Sequence, residues 1–349
     1  MAKKNEQAAC PRADIGGQAV LDGVMMKSPD AVAVAVRRPN GDIVVKREEY
    51  VSPAKKHKWM GWPFIRGSVS MVQMLGLGMR VLEDSMKMSG QEEEEPSKFE
   101  KWLAKKLGKN VDKVVMGLAI VMAVVLSVGL FIFLPNLLVD LIPEPEGSLS
   151  MRLVKNLVSG VIRTVILIGY ITLVGRIPDM KKTFQYHGSE HKTVYCHEHD
   201  LPLTPKNAQQ FTTLHPRYGT SFLLITFILS ILFYSVIDVL IQLATGFNMH
   251  APGSLPWRLL RSIVLLPVLA GISYELLKGL AHAENPLTRA LRWPGLQLQR
   301  LTTRQPSDDQ CEVAIASMNA ALHGLPEGEK TEEGWVILHT ESEDRPEEP

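Results

Sequence analysis

Two histidines and a glutamate carry the clearest chemical pattern in the chain: His187-Gly188-Ser189-Glu190-His191. Side chains four apart on a helix share a face, one turn from each other, and Glu190 falls beside them. This is the H-x-x-E-H spacing, in which two neutral imidazoles bind a divalent ion, most often zinc, and the carboxylate acts as general base or further ligand. More donors follow in His197, Glu198, His199, Asp200 and His215, so that five of the ten histidines lie between residues 176 and 219. His215, Glu198 and the distant Glu275 are candidates to complete the shell around His187 and His191. Glu190 is the candidate catalytic base, and Arg217 is placed to hold an anionic substrate group or a reaction oxyanion. Gly188 weakens the helix that this geometry requires. Three other readings of the segment stay open: a hydrogen-bonded polar loop packed on the N-terminal region, a histidine pH sensor, and a redox role for Cys196.

The elements that must position these residues alternate between charged and strongly apolar blocks, which the net charge of +1 conceals. The basic runs sit beside apolar segments, so they speak for membrane orientation rather than nucleic-acid binding. There is no nucleotide-binding loop and no G-x-S-x-G elbow. Cys10, Cys196 and Cys311 are far apart and lack C-x-x-C spacing, which excludes a disulfide scaffold and a thiolate zinc finger and fits a reducing compartment. Residues 1–12 have no apolar core, so they read as a disordered N-terminus rather than a signal peptide.

Four apolar stretches run from Val114 to Leu134, Leu157 to Val174, Phe222 to Leu243 and Leu259 to Leu280. Each is roughly 18–22 residues, the length of helix that crosses about 30 Å of hydrocarbon. They lack the alternation of a transmembrane barrel. Lysines and arginines crowd before the first stretch, after the second and after the fourth, which places both termini and the histidine segment in the cytosol. Arg163 and Asp238 fall in the outer halves of their spans and are expected to pair, because an isolated intramembrane charge costs about 2.5–3.5 kcal/mol on an insertion scale. Glu275 is expected either to join a helix-end pair with Lys278 or to face the histidine site.

Outside the membrane, Val32 to Val36 and Ile43 to Tyr50 flank Pro39-Asn40-Gly41 and predict a β-hairpin. Ile15 to Val20 reads as a further strand, with Gly16 and Gly17 serving a tight turn or close backbone approach. The apolar stretch after Pro63-Phe64-Ile65-Arg66-Gly67 suits a helix on a membrane or in a small core. Ser307-Asp308-Asp309-Gln310 reads as a helix start, and Trp335 to Leu338 as a short docked strand. The fold class is therefore an α-helical polytopic membrane protein with four transmembrane helices and a small cytosolic α+β N-terminal domain containing a β-hairpin. The divisions are that domain at 13–90, a linker at 91–113, spans one and two at 114–175, the histidine loop at 176–219, spans three and four at 220–281, a cytosolic helical segment at 282–325 and an acidic tail at 326–349.

Several runs together resemble the bacterial YqhQ-like family. They are Gly16 to Met26, Pro63 to Gly67, His187 to Lys192, His215 to Phe222, Ala270 to Glu275 and Pro294 to Thr303. The resemblance covers roughly residues 13–320, in order. It implies an inner-membrane protein and a metal-dependent enzyme. His187, Glu190, His191, Glu198, His215 and Glu275 match the family pattern; Asp22 stands where it has Glu and Tyr218 where it has Cys, so no thiolate at position 218 is indispensable. The leading expectation is a membrane-embedded metal-dependent hydrolase. A second is a non-catalytic scaffold or regulator that binds a cytosolic protein partner. A third is a transporter with Arg163, Asp238 and Glu275 along a path. The expected surroundings are the lipid bilayer and no nucleic acid.

Overall fold

The computed structural model describes residues 15–52, 57–89, 111–142, 149–215, 220–249, 251, 253–281 and 286–339. The readings made above for residues 1–12, most of the linker at 91–113, Arg217, Tyr218 and the tail from residue 340 fall outside them. Strands β1 (Gly16–Val20), β2 (Gly23–Lys27), β3 (Ala31–Arg37) and β4 (Ile43–Glu49) form an antiparallel meander. The β3–β4 hairpin turns at Pro39-Asn40-Gly41, where Gly41 takes a positive φ of 96° that suits a residue without Cβ. Strand β2 is not foreseen by the pattern above. Its Val24-Met25-Met26 core shows no polar alternation because both faces of the sheet are covered.

The helices follow as α1 (Ile65–Ser89), α2 (Val111–Val128), α3 (Leu134–Asp140), α4 (Leu149–Val174), α5 (Pro178–Glu198), α6 (Pro205–Ala208), α7 (Thr220–Thr245), α8 (Leu255–Ala281), α9 (Pro286–Thr302) and α10 (Asp308–His323). Two short strands close the chain, β5 (Glu329–Lys330) and β6 (Val336–Leu338). Strand β6 pairs with β4, so the sheet order is β1-β2-β3-β4-β6-β5. Residues 329–338 thus belong to the sheet rather than to a separate acidic tail, and Trp335 is buried against it.

Residues on alternate sides of the strands build two cores. Val24, Met26, Ala33, Ala35 and Val45 pack under α5 and α10, through Tyr186, Val194, Val313 and Met318. Met25, Val34, Val36 and Val44 pack under α1, through Val81 and Met88. Small residues let α10 lie close to the strands: Ala314, Ser317 and Ala321 are buried, and Ser317 Oγ donates to the Ala33 carbonyl at 3.0 Å. That helix begins at Ser307, whose hydroxyl accepts from Gln310 N while the Gln310 side chain takes the Ser307 N–H, a reciprocal cap that satisfies two end donors.

Four helical stretches are long and apolar enough to cross a membrane: Gly117–Asp140, Val154–Val174, Ile228–Thr245 and Leu255–Gly279. The first runs through α2, a π turn at Gly129–Phe133 and α3. Leu126, Val165, Leu232 and Val264 stand exposed on their outer faces, an arrangement that water disfavours and hydrocarbon accepts. Asp238 pairs with Arg261 of α8, not with Arg163 as expected, because α8 brings a closer guanidinium to it. Arg258, one turn earlier on α8, pairs with Asp140.

Glu275 takes Arg66 as its main partner, with Lys278 a weaker electrostatic neighbour. It does not join the histidines. Arg66 donates to both its oxygens, Nε to Oε1 at 2.7 Å and Nη2 to Oε2 at 2.5 Å, and the Phe64 N–H adds a third bond at 3.2 Å. The carboxylate raises the Arg66 pKa still further. This bidentate clamp ties the start of α1 to α8. Phe64 adopts a positive φ of 67°, and its carbonyl presses on Gly271, where a Cβ would collide with it. Gly67 likewise leaves room for Tyr274, whose Cβ would be 2.6 Å from an added methyl. Gly271→Ala is expected to destabilise the protein by about 1–3 kcal/mol through overpacking. Gly76→Ala, in an open part of α1, is expected to be neutral or to gain up to about 1 kcal/mol from helix propensity. Thermal unfolding in detergent checks both, and equal transitions would mean that α1 and α8 do not touch at Gly271.

Candidate metal centre

Helix α5 starts at Pro178, where the missing N–H costs nothing, and runs unbroken through Gly188. Gly188 does not interrupt it. The Arg304 carbonyl oxygen occupies the place a Cβ would take, so the glycine lets the end of α9 and the following residues lie against α5. Periodicity then sorts the side chains. Tyr186 and Val194 enter the core under the sheet. Glu190 reaches β1, and His187 and His191 face the segments at 302 and 213.

His187, Glu190 and His191 are brought together, with one donor atom from each lying within 4.8 Å of the others. The imidazole centres of His187 and His191 are 4.5 Å apart, and His187 Nε2 lies 4.0 Å from Glu190 Oε2. His187 Nδ1 meets the Thr302 carbonyl at 2.9 Å, and His191 Nδ1 meets the Thr213 carbonyl at 2.5 Å. A carbonyl only accepts, so in both neutral rings Nδ1 carries the proton and Nε2 keeps its lone pair. Metal-binding histidines show this second contact almost without exception, because it fixes tautomer and ring orientation.

Burial sets the protonation states. It lowers the His187 pKa, only partly opposed by the Thr302 carbonyl. It lowers that of His191 well below the usual imidazole range, and the nearby His187 adds to the effect. Both rings are therefore neutral at pH 7. Burial pushes the Glu190 carboxyl up to about 8, against the opposing hydrogen bond from the Gly17 N–H. Two unprotonated nitrogens and a carboxyl that needs positive charge to ionise suit a cation. A tetrahedral zinc site spaces its donors by about 3.4 Å, so the three groups would have to close by roughly 1 Å around an ion.

His215 and Glu198 stand next to this trio without joining it. His215 Nε2 lies 3.3 Å from Glu198 Oε2, and its ring centre is 5.9 Å from that of His191. Gln299, fully buried, holds the His215 backbone from both sides: it accepts from the N–H at 2.9 Å and donates to the carbonyl at 2.7 Å. His199 turns back on the Tyr195 carbonyl at 2.8 Å. Arg217 lies outside the described residues.

Four contributors were not evident from side-chain spacing. The carbonyls of Thr213 and Thr302 have no residue signature. Gly17 supports Glu190, since a Cβ there would be 2.8 Å from Glu190 Cγ and 2.6 Å from the Met25 carbonyl oxygen; the Gly-Gly-Gln run signalled close approach without saying to what. Lys192, the buried neighbour of His191, donates to the Gln209 and Phe211 carbonyls at 3.1 and 2.5 Å and so fastens the segment that carries Thr213.

The raised Glu190 pKa has a consequence for stability. A carboxyl that holds its proton more tightly when folded contributes stability that is full below about pH 4.5 and is lost as pH rises through about 8. Chelator-treated protein is therefore expected to lose thermal stability across that interval, and Glu190→Gln to flatten that part of the profile. A wild-type profile that coincides with the variant's from pH 5 to 9 would mean that Glu190 is ionised and solvated.

Comparisons with known proteins agree with this reading of kinship. The model of the family described as "Protein of unknown function (DUF1385)" matches residues 62–324. "Uncharacterized protein YqhQ" of Bacillus subtilis (strain 168) is 31% identical over 311 residues, spanning 88% of this chain and 92% of the relative. No solved structure matches. Helix α5, its histidines and the Thr213 and Thr302 carbonyls that hold them lie within the matched region, and the chain belongs to the DUF1385, or YqhQ-like, family.

Proposed function

We propose that this protein is a polytopic membrane protein whose histidine site binds a divalent ion, zinc first among candidates, and that it acts as a metal-dependent hydrolase at the cytosolic membrane face. The observation that carries the proposal is the pair of Nδ1–carbonyl anchors, which leave two Nε2 lone pairs beside the Glu190 carboxyl. His187 and His191 would hold the ion. His215 is the nearest further nitrogen, and Glu198 orients it. Glu275 has no place in the site, being held by Arg66. A bound divalent ion supplies Lewis acidity at a carbonyl or phosphoryl oxygen and makes water a nucleophile near neutral pH.

The chain's own part in that chemistry falls to Glu190. Its carboxyl is buried, sits next to His187 and is pinned by the Gly17 N–H, so it can take up and release a proton at a fixed position. The apolar cores beside α5 limit access of water from the sheet side. The Lys and Arg distribution around the spans supports a cytosolic location for the sheet, the site and both ends.

Metal analysis of the purified full chain tests the proposal. The wild type is expected to carry about one equivalent of divalent ion, and His191→Ala and His187→Ala less than about a tenth. The site is wrong if the wild type also carries less than a tenth after growth in zinc-supplemented medium.

A further inference from the structure

The candidate spans enclose a second group of charges that the histidine site does not use. Arg163 of α4, Asp238 of α7 and Arg261 of α8 are each more than nine-tenths buried. Arg261 pairs with one oxygen of Asp238, and its guanidinium carbon stands 4.7 Å from the centre of the Tyr234 ring. Arg163 has no carboxylate within ion-pair distance among the described residues. Its Nε, the Nε of Arg261, the hydroxyl of Ser159 and the second oxygen of Asp238 are buried without a hydrogen-bond partner there. Ser159 precedes Arg163 by one turn on the same face of α4. Nearer the outer ends, Arg258 pairs with Asp140 and still leaves its Nε and Nη1 unmatched. Among the described residues named here, three guanidiniums therefore face two carboxylates, Asp238 and Asp140.

Unmatched positive charge at this depth needs an anion, and the donors say which kind. The Nε–H of Arg163 and the hydroxyl of Ser159 on α4, with the Nε–H of Arg261 on α8, offer donors from two helices. A carboxylate offers two oxygens in one plane, whereas a phosphate offers three or four around a tetrahedron, and arginine is the residue that best matches it. Packing also fixes the gap. Gly160, beside Ser159, lies so close to Ile231 of α7 that a Cβ would overlap its side chain, so α4 and α7 are held at a set separation just before Arg163. We propose that Arg163 and Arg261 form an intramembrane site for a phosphate oxyanion, presented either as a phospholipid headgroup or as free phosphate.

The full chain in neutral detergent provides the test. Native mass spectrometry measures retention of phosphatidylglycerol against galactosyl diacylglycerol of the same acyl chains, and equilibrium dialysis measures inorganic phosphate against chloride at equal ionic strength. Preferential retention of phosphatidylglycerol assigns the site to a headgroup, and phosphate binding assigns it to the free anion. Arg163→Gln is expected to weaken whichever is bound by about tenfold or more, while Arg163→Lys, which keeps the charge but loses the fork, falls between. Because Arg163→Gln removes an unmatched buried charge, its ligand-free thermal transition is expected to equal or exceed the wild type's. Its metal content is expected to be unchanged, so failure here and failure of the histidine site are read separately. No preference in either arm on the wild-type chain overturns the proposal, and so does unaltered anion affinity in Arg163→Gln.

Discussion

Helix α5 is gripped at two places where no side chain fits, and the rest of the structure is organised around that grip. On one side β1 meets it at Gly17, under Glu190; on the other the Arg304 carbonyl meets it at Gly188. Close approach is what lets backbone groups act on the candidate site. The Gly17 N–H reaches the carboxyl, and the Thr302 and Thr213 carbonyls reach the two rings. Interiors packed to crystal-like density leave little slack. A methyl group at Gly17 would collide with Glu190 and the Met25 carbonyl, and one at Gly188 with the Arg304 carbonyl.

Sequence periodicity carried some of this and not the rest. The spacing of His187, Glu190 and His191 was legible because a helix maps i, i+3 and i+4 onto one face. The hairpin and the Ser307 cap were legible because turn and cap residues are chemically particular. Strand β2 was not, since burial on both faces erases the alternation that marks a strand, and its methionines are indifferent strand formers. Gly188 read as a weak point in a helix, whereas its role is tertiary: propensity is a local quantity and the Arg304 carbonyl is over a hundred residues away in the chain. The partners of Glu275 and Asp238 were misassigned for a related reason. Charge tells which residues need partners; only the packing of α1 against α8, and of α7 against α8, tells which partner arrives.

Two environments in this molecule treat polarity in opposite ways. In the histidine site, buried groups are satisfied by backbone atoms with good geometry and shed their charge: neutral rings and a protonated carboxyl. Between the candidate spans, three guanidiniums face two carboxylates among the described residues, and several of their N–H groups have no acceptor. The first arrangement resembles a site waiting to ionise around a cation, and the second one built to be neutralised from outside.

The pairing of β6 with β4 has a consequence for how the molecule is made. Val336 to Leu338 arrive at the sheet after nearly 290 further residues have been synthesised beyond Ile43 to Val45, and α10, which roofs one of its cores, comes only slightly earlier. During translation the four N-terminal strands must wait for α10 and β6, with part of one apolar face uncovered, until every candidate span has been synthesised. Long-range closure of this kind is slow and exposes aggregation-prone edges. The candidate spans are thus synthesised before the sheet domain is complete, and a chain cut short between residues 281 and 308 holds every candidate span but lacks the α10 that packs on α5 and the sheet.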